Sequence, residues 1–230
     1  MTPRQEQILN AIVETYAQTA EPVGSAALCS RFETSSATIR SEMASLEAQG
    51  YIMQPHISAG RVPTDKGYRA YVNALGEARP DVRHQQALAR RVKSAGEIER
   101  AIKNAVESLA HVTSNLGLGT IGPNLYLTGM ASLFQHPEFA AGEKAYEVAR
   151  LLDSLEEWLA EAAPNAPISV YIGRENPIGR SSGAALIISR FESPYSDRSY
   201  IGVLGPTRQN YGPVIGLVRY TGRLLQEALN

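Results

Sequence analysis

The chain has little of what exported, membrane-bound or disulfide-stabilised proteins depend on. Cys29 is the only cysteine among 230 residues, so no disulfide can form within the chain, which is typical of a reducing compartment. The longest uninterrupted apolar run, at positions 184–188, is far too short to cross a bilayer. Residues 1–5 also lack the apolar core of a secretory signal. We therefore expect a cytoplasmic protein.

The signatures of catalysis and metal binding are lacking as well. No Walker A, HExxH, GxSxG or dinucleotide-binding fingerprint occurs in the sequence. The four histidines have neither metal-ligand spacing nor a partner cysteine; they are His56, His84, His111 and His136. The sequence therefore favours a protein that is not an enzyme and that uses no cofactor and no metal.

An excess of positive charge is also missing. The formal net charge is −1, and residues 1–75 hold six Lys and Arg against seven Asp and Glu. Phosphates respond to cations within a Debye length of about 10 Å, so any affinity for DNA must come from local placement of charge. Four cations do fall within one short window: Arg40, Arg61, Lys66 and Arg69. We expect one basic edge on an otherwise neutral N-terminal domain.

What the sequence does contain is a helix-turn-helix pattern followed by a polar hairpin. The first helix begins with a capping box of Thr2 and Gln5, with Pro3 in its first turn. The further elements are a short helix capped by Ser25, a third helix capped by Ser35 or Ser36 and ended by Gly50, strands at 51–53 and 61–63, and a helix capped by Thr64. Three helices and a hairpin predict a winged helix-turn-helix domain at 1–75.

The third helix is the element that would enter the major groove of DNA. Its apolar stripe of Ile39, Met43 and Leu46 must face inward, which turns a face of small side chains outward. Small residues let a helix approach the base edges, and Arg40 can bind guanine bidentately or grip a phosphate. The alternative is a solvated arginine on an exposed helix. The residues predicted to enter the groove are Ser36, Thr38, Arg40 and Ser41.

The hairpin and the helix that follows it supply the predicted contacts to the DNA backbone. His56 and Arg61 flank the segment Ser58-Ala59-Gly60, which predicts a flexible basic wing that reaches phosphates or the minor groove. Lys66 and Arg69 open the next helix, where a phosphate would also meet the helix N-terminus. An ordinary polar hairpin and two solvated cations are the alternatives.

The remainder of the chain predicts an α+β domain. A boundary is expected at 76–81, and the apolar stripe at 98–116 packs either within its own domain or against a partner helix in a dimer. The expected elements are helices at 82–93, from a capping box Ser94–Glu97 to 116, at 143–162 and at 211–229, strands at 168–172, 184–191 and 200–204, and a glycine-rich loop at 117–123 with a brief extended piece at 125–127.

Several segments closely resemble the bacterial heat-inducible transcription repressor HrcA family. The long motif Pro55–Tyr68 in the wing is idiosyncratic and highly specific. The other matching segments are Glu21–Ser25, Ser36–Arg40, Gly129–Phe139, Ile172–Asn176 and Gly202–Arg208. The chain departs from the family in three ways. The family's asparagine after Thr-Ile-Arg is Ser41 here, its Met-Asp after Gly-Pro-Thr-Arg is Gln209-Asn210 here, and much of the region that usually precedes the segment near Leu125 is missing.

The resemblance implies a repressor that binds an inverted-repeat operator upstream of chaperone operons as a homodimer. It implies three parts: a winged helix at 1–75, a helical linker and dimerisation segment at 76–117, and a truncated GAF-like α+β domain at 118–230. It also implies a dependence on the GroEL chaperonin, which would hold the repressor in its active form until heat-damaged proteins occupy it. The alternatives are a winged-helix regulator that senses a small molecule through the GAF-like domain, and a protein-interaction module without operator binding.

Overall fold

A computed structural model describes residues 1–76, 80–161 and 164–229. The chain divides into two compact units, one of Met1–Gly76 with Arg208–Asn210 and one of Glu77–Thr207 with Tyr211–Asn230. The expected linker at 76–81 lies partly outside the described residues, and the expected division between 117 and 118 falls inside a strand. Within the described ranges no helix is both long enough and apolar enough to span a bilayer.

The first unit is the predicted winged helix. Its elements are α1 (Pro3–Thr19), α2 (Ser25–Phe32), α3 (Ser36–Ala48), β1 (Ile52–Met53), β2 (Val62–Pro63) and α4 (Asp65–Ala74). The two strands pair antiparallel through Ile52 with Pro63 and Met53 with Val62. The core is formed by apolar residues from each helix, including Ile8, Leu9, Ile12, Leu28, Ile39, Leu46 and Tyr68.

The helix starts of this unit follow local capping rules, with one exception. Thr2 and Gln5 form the expected capping box at α1, Ser35 caps α3, and Thr64 caps α4. Ser25 was expected to cap α2, and this prediction is wrong: Gly24 occupies the cap position without a side-chain bond. Ser25 lies in the first turn of α2, where its hydroxyl is free to make a tertiary contact.

The second unit is α+β, as predicted, with one five-stranded antiparallel sheet. Its elements are α5 (Val82–Lys93), α6 (Ile98–Thr113), β3 (Leu116–Ile121), β4 (Asn124–Thr128), α7 (Met130–Gln135), α8 (Glu143–Glu161), β5 (Ile168–Ile172), β6 (Ala184–Ser193), β7 (Ser196–Pro206) and α9 (Tyr211–Leu229). The strand order is β4-β3-β7-β6-β5. The expected helix end at 162 lies outside the described residues.

The expected loop at 117–123 is wrong, because most of it is strand β3. A Cβ atom added at Gly117 would lie 2.5 Å from the backbone oxygen of Val106, and one added at Gly119 would lie 2.6 Å from a methyl of Val106. These glycines therefore let α6 pack directly on the strand rather than mark a turn. The expected capping box at the start of α6 is also wrong, since Glu97 occupies the N-cap position and its side chain makes no capping hydrogen bond.

The apolar stripe of α6 packs within its own unit. Ile102, Ala105, Val106 and Leu109 are fully buried, because α6 packs against β3 and α9. The stripe stops at Thr113, where α6 ends, and Leu116 already belongs to β3. Of the two alternatives for this stripe, the structure favours packing within the domain, so the stripe is not the surface on which a dimer would form.

Candidate nucleic-acid interface

The outward face of α3 has the character that major-groove entry requires. Ile39, Met43 and Leu46 are buried against the first unit, as expected, so the helix is held by its scaffold along one side. The opposite side exposes only short side chains and one arginine. The residues exposed there are Ala37, Arg40, Ser41, Ala44 and Ala48. A helix with such a face can approach base edges closely while a single long side chain makes the directional contact.

Arg40 is positioned by a hydroxyl on the preceding helix. Its Nε donates a hydrogen bond to Ser25 Oγ at 3.2 Å, and Ser25 Oγ lies 2.7 Å from Ser36 Oγ. Within the described residues, the two terminal nitrogens of Arg40 have no hydrogen-bond acceptor. Arg40 therefore keeps its bidentate edge available while its stem is oriented by α2. The sequence predicts only a cap at Ser25, because Arg40 lies 15 positions away on another helix.

Thr38 and Ser41 were also expected to enter the major groove, and the structure places them differently. Thr38 Oγ1 lies 2.9 Å from Ser35 Oγ, and the Thr38 backbone N–H donates to Ser35 Oγ at 3.2 Å. Its hydroxyl is therefore engaged in capping α3. Ser41 is exposed on the outward face. Of the four predicted groove residues, Arg40 and Ser41 present side chains outward, whereas Ser36 and Thr38 are partly committed to local structure.

Arg61 joins the wing to α3. Its Nε and Nη2 both lie 2.9 Å from Glu47 Oε2, and the other carboxylate oxygen of Glu47 accepts from the backbone N–H of Gln54 at 3.1 Å. The Arg61 side chain is only 23% exposed. Most of its hydrogen-bonding capacity is therefore used within the protein, and the sequence could not reveal this because Glu47 and Arg61 lie on different elements.

Lys66 makes a second tie to α3. Its Nζ donates to the backbone oxygen of Gln49 at 2.8 Å and lies 4.5 Å from the centre of the Tyr51 ring. A cation at the carboxyl end of a helix is favourable because that end carries partial negative charge. The expected anion site at the start of α4 is already occupied in part by the chain itself, since Thr64 caps it and Asp65 opens it.

His56 and Arg69 complete the predicted set. His56 is exposed at the tip of the wing, with Nδ1 3.2 Å from the backbone oxygen of Ile57. Arg69 is half-buried on α4 and already has an interaction partner. The structure thus places the wing cations next to α3 within one unit, but it uses Arg61 and Lys66 to hold the wing and α4 to that helix.

Gln5 forms a third tie to α3 that sequence analysis did not find. Its side-chain oxygen accepts from the backbone N–H of Thr2 at 3.0 Å. Its Nε2 donates to Glu42 Oε2 and to Ser45 Oγ, each at 3.1 Å. The residue that completes the capping box of α1 therefore also fixes α1 against α3. The only signal in the sequence was the capping box, which is local and predicts nothing about α3.

Tyr71 is a titratable group of this unit whose pKa is clearly shifted. Tyr71 is 6% exposed on α4, and its burial raises the pKa of its phenol above the usual 10.0, with a further contribution from the nearby carboxylate of Glu14. A neutral Tyr71 fits its environment, and this role is structural. Across the described residues no group of three or more His, Cys, Asp or Glu side chains could hold a metal ion.

The second unit has a packed interior between its sheet and α8. Leu151, Leu155 and Leu159 of α8 are buried against Leu186 and Leu204 of the sheet. A small-molecule sensor was expected to show a defined apolar pocket at this place, so the packing does not favour that alternative. A cleft of about 340 Å³ opens instead at the rim, where Glu156 and Arg198 make its lining partly charged.

Comparison with known proteins relates both units to one family. The model of the winged helix-turn-helix transcription repressor HrcA DNA-binding domain matches residues 1–75. The model of the HrcA protein C-terminal domain matches residues 68–215. Together the two models span most of the chain, and the first covers all of the elements that form the candidate interface.

Curated relatives named heat-inducible transcription repressor HrcA match the chain to different extents. The proteins of Nocardia farcinica and Rhodococcus jostii are 39% and 40% identical over 141 residues, which is 60% of this chain but only 39% of each relative. The protein of Geobacter sulfurreducens is 25% identical over a 336-residue alignment that covers the whole chain and 98% of that relative.

One solved structure has the same fold along the full length of the chain. It is a crystal structure described only as that of a hypothetical protein, and it matches with a TM-score of 0.80 at 18% identity, covering 100% of this chain and 98% of that one. At this identity the match establishes the fold alone.

Proposed function

Because this chain belongs to the HrcA family, we propose that it is a DNA-binding transcription repressor of heat-shock genes. The observation that carries the proposal is the uncovered face of α3, on which Arg40 is oriented by Ser25 and surrounded by small side chains. The helix enters the major groove, where Arg40 binds a guanine and Ser41 makes a short polar contact. Ser36 and Thr38 support the start of that helix and lie beside the DNA backbone.

The contacts to the DNA backbone come from the wing and α4. His56 is exposed and free to approach a phosphate, and Lys66 is exposed at the carboxyl end of α3. Arg61 and Arg69 contribute their remaining N–H groups. With so few cations the electrostatic part of the affinity is small, so specific binding depends on fit in the groove.

We further propose that the protein binds an inverted-repeat operator as a homodimer. Two-fold symmetric proteins bind half-sites related by the same symmetry, and one winged helix whose base contacts come from Arg40 and Ser41 makes too few contacts for tight specific binding. The α6 stripe is not available for the dimer contact, because its residues are buried within one chain. The contact therefore lies elsewhere on the surface.

Regulation by a chaperonin of the GroEL type and residence in the cytoplasm belong to the same proposal. They rest on membership of the family alone. Purified GroEL added to a gel-shift titration should raise the fraction of bound operator, and a denatured client protein that occupies GroEL should reverse that gain. No change on adding GroEL would remove the chaperonin from the proposal without touching DNA binding.

Selection of bound sequences from a random duplex pool tests the central claim. A dimeric repressor whose two α3 helices contact the bases should enrich a palindrome with fixed half-site spacing. Selection by the Arg40→Ala variant provides the control, because it should lose the guanine that the wild type enriches. Failure of the wild type to enrich any sequence at physiological salt would favour the alternative, a protein-interaction module without operator binding.

A further inference from the structure

The wing tip holds one apolar side chain almost entirely in water. Ile57 is 93% exposed, more than any other large apolar residue in the described part of the chain. Single exposed apolar residues are common on protein surfaces, so exposure alone indicates nothing. The second observation is that the chain around Ile57 is tied down, although sequence analysis predicts a flexible tip.

The tip is braced by the backbone next to Ile57. Ser58 has a left-handed φ of 69°, a conformation that residues other than glycine rarely adopt and that persists when the surroundings fix it. The Ala59 N–H donates to the His56 oxygen at 3.0 Å. The Ala59 oxygen accepts from Gln54 Nε2 at 3.0 Å. Three residues on both sides of the turn therefore hold the loop that carries Ile57.

The base of the wing is fixed as firmly as its tip. The backbone N–H and C=O of Arg61 both pair with Val23, each at 2.9 Å, and a Cβ atom added at Gly60 would lie only 2.5 Å from the Val23 carbonyl carbon. The Arg61–Glu47 pair then joins the wing to α3. The position of Ile57 relative to the outward face of α3 is consequently set before any partner arrives.

We propose that Ile57 enters the minor groove of the operator beside the major-groove site of α3 and inserts at an A·T-rich, flexible base step, which it partly unstacks. Apolar side chains placed in this way are a known means of reading minor-groove width and step flexibility. A rigid tip lowers the entropy cost of such a contact. The neighbours of Ile57 are polar, namely His56 and Ser58, which fits one apolar side chain among backbone contacts better than a protein interface with a contiguous apolar centre.

This inference rests on the proposed function and names a specificity residue within it. The test uses the full-length chain and the operator that selection identifies. Ile57→Ala should leave the melting temperature unchanged, because an exposed side chain contributes little to folding, and should weaken operator binding by about fivefold to tenfold. Met53→Ala is the matched control: Met53 is 47% exposed on β1 at the base of the wing, and its truncation should leave affinity unchanged.

A second readout locates the contact on the DNA. With 2-aminopurine at each step next to the half-site, wild-type protein should raise the fluorescence at one step by unstacking it, and Ile57→Ala should not. Replacing that step by G·C pairs should weaken the wild type but not the variant. Equal affinity and equal fluorescence for wild type and Ile57→Ala would overturn the inference while leaving the repressor intact.

Two other results would also overturn it. If Ile57→Ala converts a dimer to a monomer in light scattering, Ile57 is a protein contact rather than a DNA contact. If the wild type selects no sequence, the proposed function fails first and this inference fails with it. Enriched operators combined with an unaffected Ile57→Ala variant would instead remove only the minor-groove contact.

Discussion

The helices α3 and α6 are both amphipathic, yet the protein uses their surfaces in opposite ways. The apolar stripe of α6 packs on a strand whose glycines let the helix approach, and its neighbour α9 covers it further. The stripe of α3 is buried as well, but nothing in its own unit covers the opposite face of small residues and Arg40. An uncovered face of small side chains on a firmly held helix is suited to contact an external partner, whereas the α6 stripe is buried and only stabilises its own unit.

The largest effect is expected where α6 meets the sheet. Gly117→Val places branched carbon atoms where a Cβ alone would already lie 2.5 Å from the backbone oxygen of Val106. This overpacking should lower the free energy of unfolding by about 3 kcal/mol or more, measured by urea denaturation. Gly24→Ala is the control, because nothing lies within 4 Å of that position. A stable Gly117→Val variant would mean that α6 does not pack as closely as described.

The next largest effect concerns the uncovered face of α3. Arg40→Ala should weaken operator binding by about 1–3 kcal/mol with little change in protein stability, because it removes a base contact and one partly exposed hydrogen bond but no packing. A gel-shift titration with operator and with random duplex measures the selectivity of the loss. An equal loss on both DNAs would show that Arg40 grips phosphate, and the contrast between the two helices would then no longer rest on sequence readout.

The tie between the wing and α3 can be measured by a double-mutant cycle. Arg61→Ala and Glu47→Ala should each lower the free energy of unfolding of the first unit by about 1 kcal/mol, and the double variant by less than the sum, since both remove the same partly buried ion pair. Arg61→Ala should also weaken operator and random DNA alike and lower the salt slope by up to about one phosphate contact. Strict additivity would contradict the pairing, and an unchanged salt slope would limit Arg61 to a structural role.

A smaller effect is expected from the residue that orients Arg40. Ser25→Ala removes the hydrogen bond to Arg40 Nε but keeps Arg40 itself. Because the arginine is then no longer oriented before binding, specific binding should weaken by about threefold. Combining Ser25→Ala with Arg40→Ala should cost no more affinity than Arg40→Ala alone. If the double variant is weaker by the same further factor, Ser25 acts on DNA by another route.

The smallest effect at physiological pH is expected from Tyr71. Burial raises the pKa of its phenol in the folded state above the usual 10.0, so the folded protein favours the neutral form. Stability from this group is fully present below about pH 10 and is lost as pH rises through the folded-state pKa. Thermal unfolding from pH 8 to 11 should show this loss in the wild type and a smaller one in Tyr71→Phe. Identical profiles would mean that Tyr71 is not the group that titrates.

Local features of this chain were predictable, and contacts between distant residues were not. Thr2, Ser35 and Thr64 cap their helices because a hydroxyl on the residue directly before a helix can accept a backbone N–H of the first turn. Ser25 also predicts a helix cap, but its hydroxyl instead accepts a hydrogen bond from Arg40, 15 positions later. Glycines in β3 indicated a loop because the sequence cannot reveal that another helix passes against that strand.

The candidate site shows the same division. The outward face of α3 follows from periodicity, since burying the apolar stripe leaves only one orientation for the rest of the helix. The wing cations were correctly identified as neighbours of α3, but free phosphate ligands were expected where the structure has an ion pair with Glu47 and a bond to Gln49. Whether those residues also contact DNA stays a prediction.

The double role of Gln5 has a practical consequence for studying this protein. Its oxygen receives the backbone N–H of Thr2 while its nitrogen binds Glu42 and Ser45, so the first turn of α1 is connected by hydrogen bonds to the helix proposed to touch operator bases. A label placed in the first turn of α1 would disturb these bonds, and assays of DNA affinity are better run with labels attached away from it.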